Sequence, residues 1–144
     1  MAHALPDIPH EALLGTLARA DADRLKAFAE VLIPQLGDIE VLHSRTGLVM
    51  LPMRDTAQGT AFHLGEVLVS EAHIRQAGVE AYGMRRGRDL ESAMAMALVD
   101  LAVAQGIAPD ACAAFVRAEA DAAASEDAQV LRRIDATRVD METF

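Results

Sequence analysis

Apolar positions along this chain change spacing several times, and each change marks an element. In the first third they recur three and four residues apart. Leu13, Leu14 and Leu17 form one helical edge, and Leu25, Phe28 and Leu32 form another. Pro9 suits the first turn of the first helix, where its missing amide is no loss. Asp21 is placed to cap the second helix, and Pro34 and Gly37 end it. From Ile39 the period drops to two. Ile39 and Val41 alternate with Glu40 and Leu42, and Ser44-Arg45-Thr46-Gly47 reads as a hairpin loop. Residues 48–51 are apolar on both faces, as in an interior strand, and Pro52 ends the run. Residues 54–60 are polar and loop-like. Residues 62–70 read as a third strand with a phase slip. Phe62 and Leu64 share a face with Val67 and Val69 only if a β-bulge sits at Gly65-Glu66. A turn at Gln76-Ala77-Gly78 leads into a further strand, where Val79 and Ala81 alternate with Glu80 and Tyr82.

Helical spacing then returns. Asp89 is placed as an N-cap for Leu90, Ala93, Met94, Ala97, Leu98 and Leu101, and Met96, Val99 and Val103 form a second stripe. A helix apolar on so many sides must be covered on more than one of them. Gly106 is a stop signal, and Pro109 opens an Ala-rich helix to about Ile134 whose stretch 119–127 is acidic and solvated. The short connections between strands leave no room for crossover helices, so the strands pair as an antiparallel meander. The expected fold is α+β in one domain, 1–144: an antiparallel sheet of about four strands, two N-terminal helices, a buried central helix and a C-terminal helix.

Composition narrows the function classes. With 144 residues, 52% hydrophobic and 24% charged, the chain can bury one core. Aromatic residues are only 3%, so that core is aliphatic. Thirteen basic residues against 22 acidic ones give a net charge of −9, which argues against nucleic acid and anionic membrane surfaces as partners. A single cysteine, Cys112, permits neither an internal disulfide nor a thiolate zinc site. There is no signal peptide pattern and no long apolar span, so the expected compartment is the cytoplasm.

In this acidic chain Arg85, Arg86 and Arg88 stand out beside Gly87 and just before a helix start. Free amides and the helix dipole favour an anion there, so Gly87, Arg88 and Asp89 are a candidate phosphate-binding turn. The alternative is a solvated turn with Arg88 paired to a nearby carboxylate, and the Asp89 side chain competes with any anion for the same amides. His43, His63 and His73 fall on strands in no metal spacing, and Glu66 is a general base only if the bulge turns it into a cleft. Cys112 and Tyr82 read as packing residues as readily as reactive ones. No nucleophile elbow, phosphate loop or dinucleotide fingerprint occurs, so no catalytic residue, metal site or bound cofactor is assigned. The tail keeps Thr137, Arg138, Val139, Asp140 and Phe144 where most chains fray into polar residues. It is a candidate partner interface, or it packs on the chain's own sheet.

Three stretches in order carry a resemblance. They are Phe62-His-Leu-Gly-Glu66-Val-Leu-Val, then Tyr82-Gly83 followed after three residues by Gly87-Arg88-Asp89, then Ala136-Thr137-Arg138-Val139-Asp140. Together they resemble PhnG, the G subunit of the bacterial carbon–phosphorus lyase system. The resemblance extends over nearly the whole chain, but Arg85 and Arg86 have no place in its pattern. It implies a core complex with the H, I and J subunits and a functional link to the L subunit. In that system ATP and a phosphonate are substrates of the complex, adenine is displaced from ATP, and the glycosyl transfer is assigned chiefly to the I subunit. The competing expectations are a stand-alone α+β small-anion-binding or interaction module, and a free-standing enzyme using Glu66, a histidine and Arg88.

Overall fold

The computed structural model describes residues 5–139. Its elements run α1 (His10–Arg19), α2 (Ala22–Leu36), β1 (Glu40–Arg54), β2 (Ala61–Gln76), β3 (Val79–Arg86), α3 (Leu90–Ala104) and α4 (Pro109–Ala136). The sheet is an antiparallel meander in the order β1-β2-β3, so the architecture is α+β.

Local chemistry explains most boundaries. Asp21 caps α2 by accepting from the Arg24 amide at 2.9 Å, and Asp89 caps α3 by accepting from the Ser92 amide at 3.1 Å. Helix α2 continues through Pro34 and stops at Gly37, whose φ of 73° suits glycine. Helix α3 closes with a Schellman pattern, in which the Ile107 amide bonds Ala102 O at 2.9 Å and the Gly106 amide bonds Val103 O at 3.2 Å. Ala77 and Gly78 both have positive φ, the geometry of a tight two-residue hairpin between β2 and β3.

One expected turn is absent. Ser44-Arg45-Thr46-Gly47 does not reverse the chain; it lies in mid-strand, paired from Ser44↔Ala72 to Gly47↔Val69. Two short expected strands are therefore one strand, and the meander has three. The segment holds no Asn-Gly or Asp-Gly pair to favour a tight reversal, and Arg45 reaches Glu71 across the ladder at 3.2 Å. The reversal falls instead at residues 55–60. There the Asp55 side chain accepts from Ala57 N and its amide bonds Thr60 O. The bulge expected at Gly65-Glu66 falls one residue earlier: Leu51 faces Gly65 and Pro52 faces His63, which leaves Leu64 as the extra residue.

The core forms around α3, which is buried continuously from Ala95 to Ala104. On one side it meets Ala72 and Ile74 of β2 and Ala81 of β3. Its other sides are covered by Leu13 and Leu17 of α1, Leu25 and Leu32 of α2, and Cys112 and Val116 of α4. Small residues set the separation. A Cβ added at Gly83 would overlap the carbonyl of Ala93 and lie 2.9 Å from the Ala97 amide, so only glycine lets β3 approach α3 this closely.

Buried polar groups fix the helices to this core. Asp100 is fully buried on α3; it accepts from the Tyr82 amide at 3.2 Å and lies 2.8 Å from His10 Nε2. Arg85 extends from β3 to the last carbonyls of α1, donating to Leu17 O and, at 2.6 Å, to Ala20 O. Glu119 of α4, 5% exposed, receives Arg24 Nε at 2.6 Å. That contact holds the Glu119 carboxyl below the ordinary glutamate range.

Two measurements follow from these contacts. Gly83→Ala will destabilise the fold by about 3 kcal/mol, read as a lower urea midpoint, because the obstruction is backbone that cannot move aside. A midpoint unchanged from the parent would contradict the close approach. Glu119 contributes stability above its unfolded pKa, and that contribution is lost as pH falls through its depressed folded value. Glu119→Gln will therefore lower stability at neutral pH and flatten its decline on acidification, measured by urea titrations at stepped pH.

Candidate functional site

The basic turn closes β3 and starts α3, and most of its polar groups are committed within the fold. The Gly87 amide bonds Leu68 O at 2.9 Å, and its carbonyl accepts from Ser70 Oγ at 2.7 Å. Gly87 has a φ of 99°, which lets the chain leave the sheet at that point. The Asp89 carboxylate caps α3 and receives Lys26 Nζ at 2.7 Å, and the lysine is the main reason its pKa is lowered. Arg85 serves α1, and partial burial pushes its pKa down. The side chains of Arg86 and Arg88 are exposed and make no hydrogen bond or ion pair among the described residues, although the Arg88 carbonyl accepts from the Leu90 amide at 3.0 Å. Of Gly87, Arg88 and Asp89, the side chain open to an external anion is that of Arg88.

The described tail residues, Thr137, Arg138 and Val139, follow the C-terminal end of α4. Thr137 Oγ1 donates to Ile134 O at 2.9 Å and closes the helix, and Val139 is 80% exposed. Arg138 follows, with its amide bonded to Asp135 O at 3.1 Å. Asp140 and Phe144 lie outside the described residues. Residues 121–139, at this end of α4, are almost entirely exposed, with Asp127 still held to α1 by Arg19 at 2.8 Å. The same end carries Val130, Leu131 and Ile134, each at least 43% exposed.

Register brings together residues that spacing could not. On the outer face of the sheet His43 is opposite His73, and His73 is opposite Tyr82. The His73 and Tyr82 rings stack at 4.1 Å, and those of His43 and His73 are 6.0 Å apart. Glu80 accepts from the Tyr82 hydroxyl at 3.0 Å and lies 3.2 Å from His73 Nε2. These contacts, the tyrosine's first, hold the Glu80 carboxyl below its ordinary range, and Glu80 in turn raises the Tyr82 phenol. The row can stack and exchange hydrogen bonds on an open surface. His63 is not part of it; it lies opposite Pro52, and Glu66 is exposed on the same part of the hairpin. Cys112 is fully buried, and burial pushes its thiol up to about 11, which keeps it protonated and inert.

The largest feature is the outer half of the β1–β2 hairpin. Beyond Leu68 it has no third strand beside it among the described residues, and its residues are almost all exposed, on both faces. Leu48, Val49, Met50, Leu51, Met53, Phe62 and Leu64 are each at least 40% exposed. Sequence spacing identified residues 48–51 as apolar on both faces but took this for burial in a sheet. The missing information was the third strand, which ends at Arg86. Among the described residues no group of three or more His, Cys, Asp or Glu side chains could hold a metal ion, and no helix is long and apolar enough to cross a membrane.

The structure is thus a small α+β protein with exposed apolar side chains on its outer hairpin and on the end of α4. The model of the family described as phosphonate metabolism protein PhnG matches residues 9–144, and the chain belongs to that family. Its role therefore lies in phosphonate metabolism, and the family suggests part of a complex. No curated protein matches the chain.

Tyr82 is the sole tyrosine, so its titration can be followed alone by ultraviolet absorbance. Glu80→Gln will move that transition downward, toward the ordinary phenol value of 10.0, by removing the carboxylate that favours the protonated form. An unmoved transition would mean that the Glu80–Tyr82 bond is not made in solution.

Proposed function

We propose that this chain is an accessory subunit of the carbon–phosphorus lyase core complex, working in the cytoplasm with the H, I and J subunits and with the L subunit. In this reading the complex displaces adenine from ATP with a phosphonate, giving an α-D-ribose 1-phosphonate 5-triphosphate. The chain supplies assembly surface rather than reacting groups. The observation that carries the reading is the family match over residues 9–144. It is supported by the exposed apolar ribbon of β1 and β2 and by the exposed end of α4, whose aliphatic side chains stay in water in the isolated chain. Burial against partners removes that surface from water at about 25 cal/mol per Å².

The test is co-expression of the tagged chain with its H, I and J candidates, followed by pull-down and an assay of phosphonate-dependent adenine release with the L subunit present. The expected result is a stoichiometric complex whose adenine release is lost when this chain is omitted. A stable chain that ignores all three candidates would overturn the proposal and favour a stand-alone anion-binding or interaction module.

A further inference from the structure

The sheet has two kinds of strand edge, and the fold treats them differently. The outer edge of β3 is closed by α3: Asp100 accepts from the Tyr82 amide and Met96 Sδ from the Met84 amide at 3.4 Å. The corresponding edge of β2 is left open where β3 stops. The last rung on that side is the Gly87 amide on Leu68 O, after which Gly87 turns the chain into α3. Among the described residues, β2 pairs from Ala61 to Val67 with β1 alone. By strand alternation the amide and carbonyl of Glu66 face the same open side as those of Leu68. The vacant track is about 25 Å long at strand rise and lies in line with β3.

We propose that this track binds an extended, apolar, carboxylate-bearing segment of another subunit, which adds to the sheet as a strand beside residues 61–67 of β2. The inference rests on the subunit reading above and deepens it by naming the docking edge and the kind of segment that fills it. Main-chain hydrogen bonds supply the pairing, and side-chain chemistry selects the partner. The ribbon is apolar on both faces, through Leu48, Val49, Met50 and Leu51 on β1 and Phe62 and Leu64 on β2. A strand laid alongside alternates its side chains between those faces, so both of its sets are apolar. Charge fixes its end. The side chains of Arg86 and Arg88, exposed and without a partner among the described residues, stand where the track meets the body, in a chain of net charge −9. A carboxylate on the incoming segment satisfies them.

The alternatives fit less well. The free edge of β1 contains Pro52, which has no amide to offer. A second copy pairing edge to edge about Glu66 would set carboxylate against carboxylate and bring together two chains of net charge −9.

The experiment is hydrogen exchange on the full-length chain, alone and in complex with the co-expressed H, I and J candidates, with two variants. The expected result is that the Glu66 and Leu68 region exchanges fast in the free chain and slowly in the complex. Glu66→Pro removes one slot-facing donor, and Arg86→Glu with Arg88→Glu inverts the entrance charge. Each will weaken the complex about ten-fold or more, with circular dichroism and the free-chain exchange of α3 unchanged. A complex that forms while residues 61–68 stay unprotected overturns this inference and leaves the subunit reading standing. So does one whose assembly tolerates the double arginine variant while adenine release falls, which would assign those arginines to a phosphate. Protection of the same residues in the chain alone, with a dimer mass, makes the occupant a second copy and overturns it too. No complex with any candidate overturns both readings.

Discussion

The structure depends on covering one helix. Helix α3 has almost no polar side, and a helix of that kind is stable only where other elements exclude water around it. The sheet takes one side, α1 and α2 the next, and the first turns of α4 the remainder. The contact with β3 is the tightest of these, because Gly83 presents bare backbone to Ala93 and Ala97. Moving β3 outward by the width of a methyl group would open the layer that every other element packs against.

The polar contacts make sense in the same frame. Asp100 is a carboxylate inside an apolar helix, and it is tolerated because the Tyr82 amide and His10 meet it. One side chain thus closes the edge of β3 and holds the start of α1. Arg85 does the converse, carrying a cation from β3 to the carbonyls that end α1. Arg24 and Glu119 bind α2 to α4. Each contact joins elements far apart in sequence, and each leaves a buried charge or an open helix end if one partner is removed. The body is therefore well satisfied internally, in contrast to two exposed apolar surfaces. The ribbon of β1 and β2 and the outer half of α4 keep aliphatic side chains exposed, and membership of a phosphonate-metabolism family gives that surface a context.

Much of this was legible in the residues. The caps at Asp21 and Asp89, the stop at Gly106, the hairpin at Ala77-Gly78 and the all-round burial of α3 are local or periodic signals, and each is found where the chain announces it. Arg88 and Arg85 show the limit of such reading. Both belong to one basic turn in sequence, yet one is exposed and the other reaches α1. Nothing within a few residues of either distinguishes them; the distinction lies in what packs opposite.

The sequence by itself determined the fold class, the helix boundaries and the family, because these rest on short-range backbone preferences, on periodicity and on motif order. Tertiary structure alone decided that residues 48–51 are exposed rather than interior, since an apolar strand reads the same whether or not a neighbour lies beside it. It also decided the register that sets His43, His73 and Tyr82 in one row, because cross-strand pairing is a relation between distant residues. The open edge of β2 is likewise a consequence of where β3 ends. Gly87 ends it by turning the chain into α3, and only the assembled sheet reveals what that leaves unpaired.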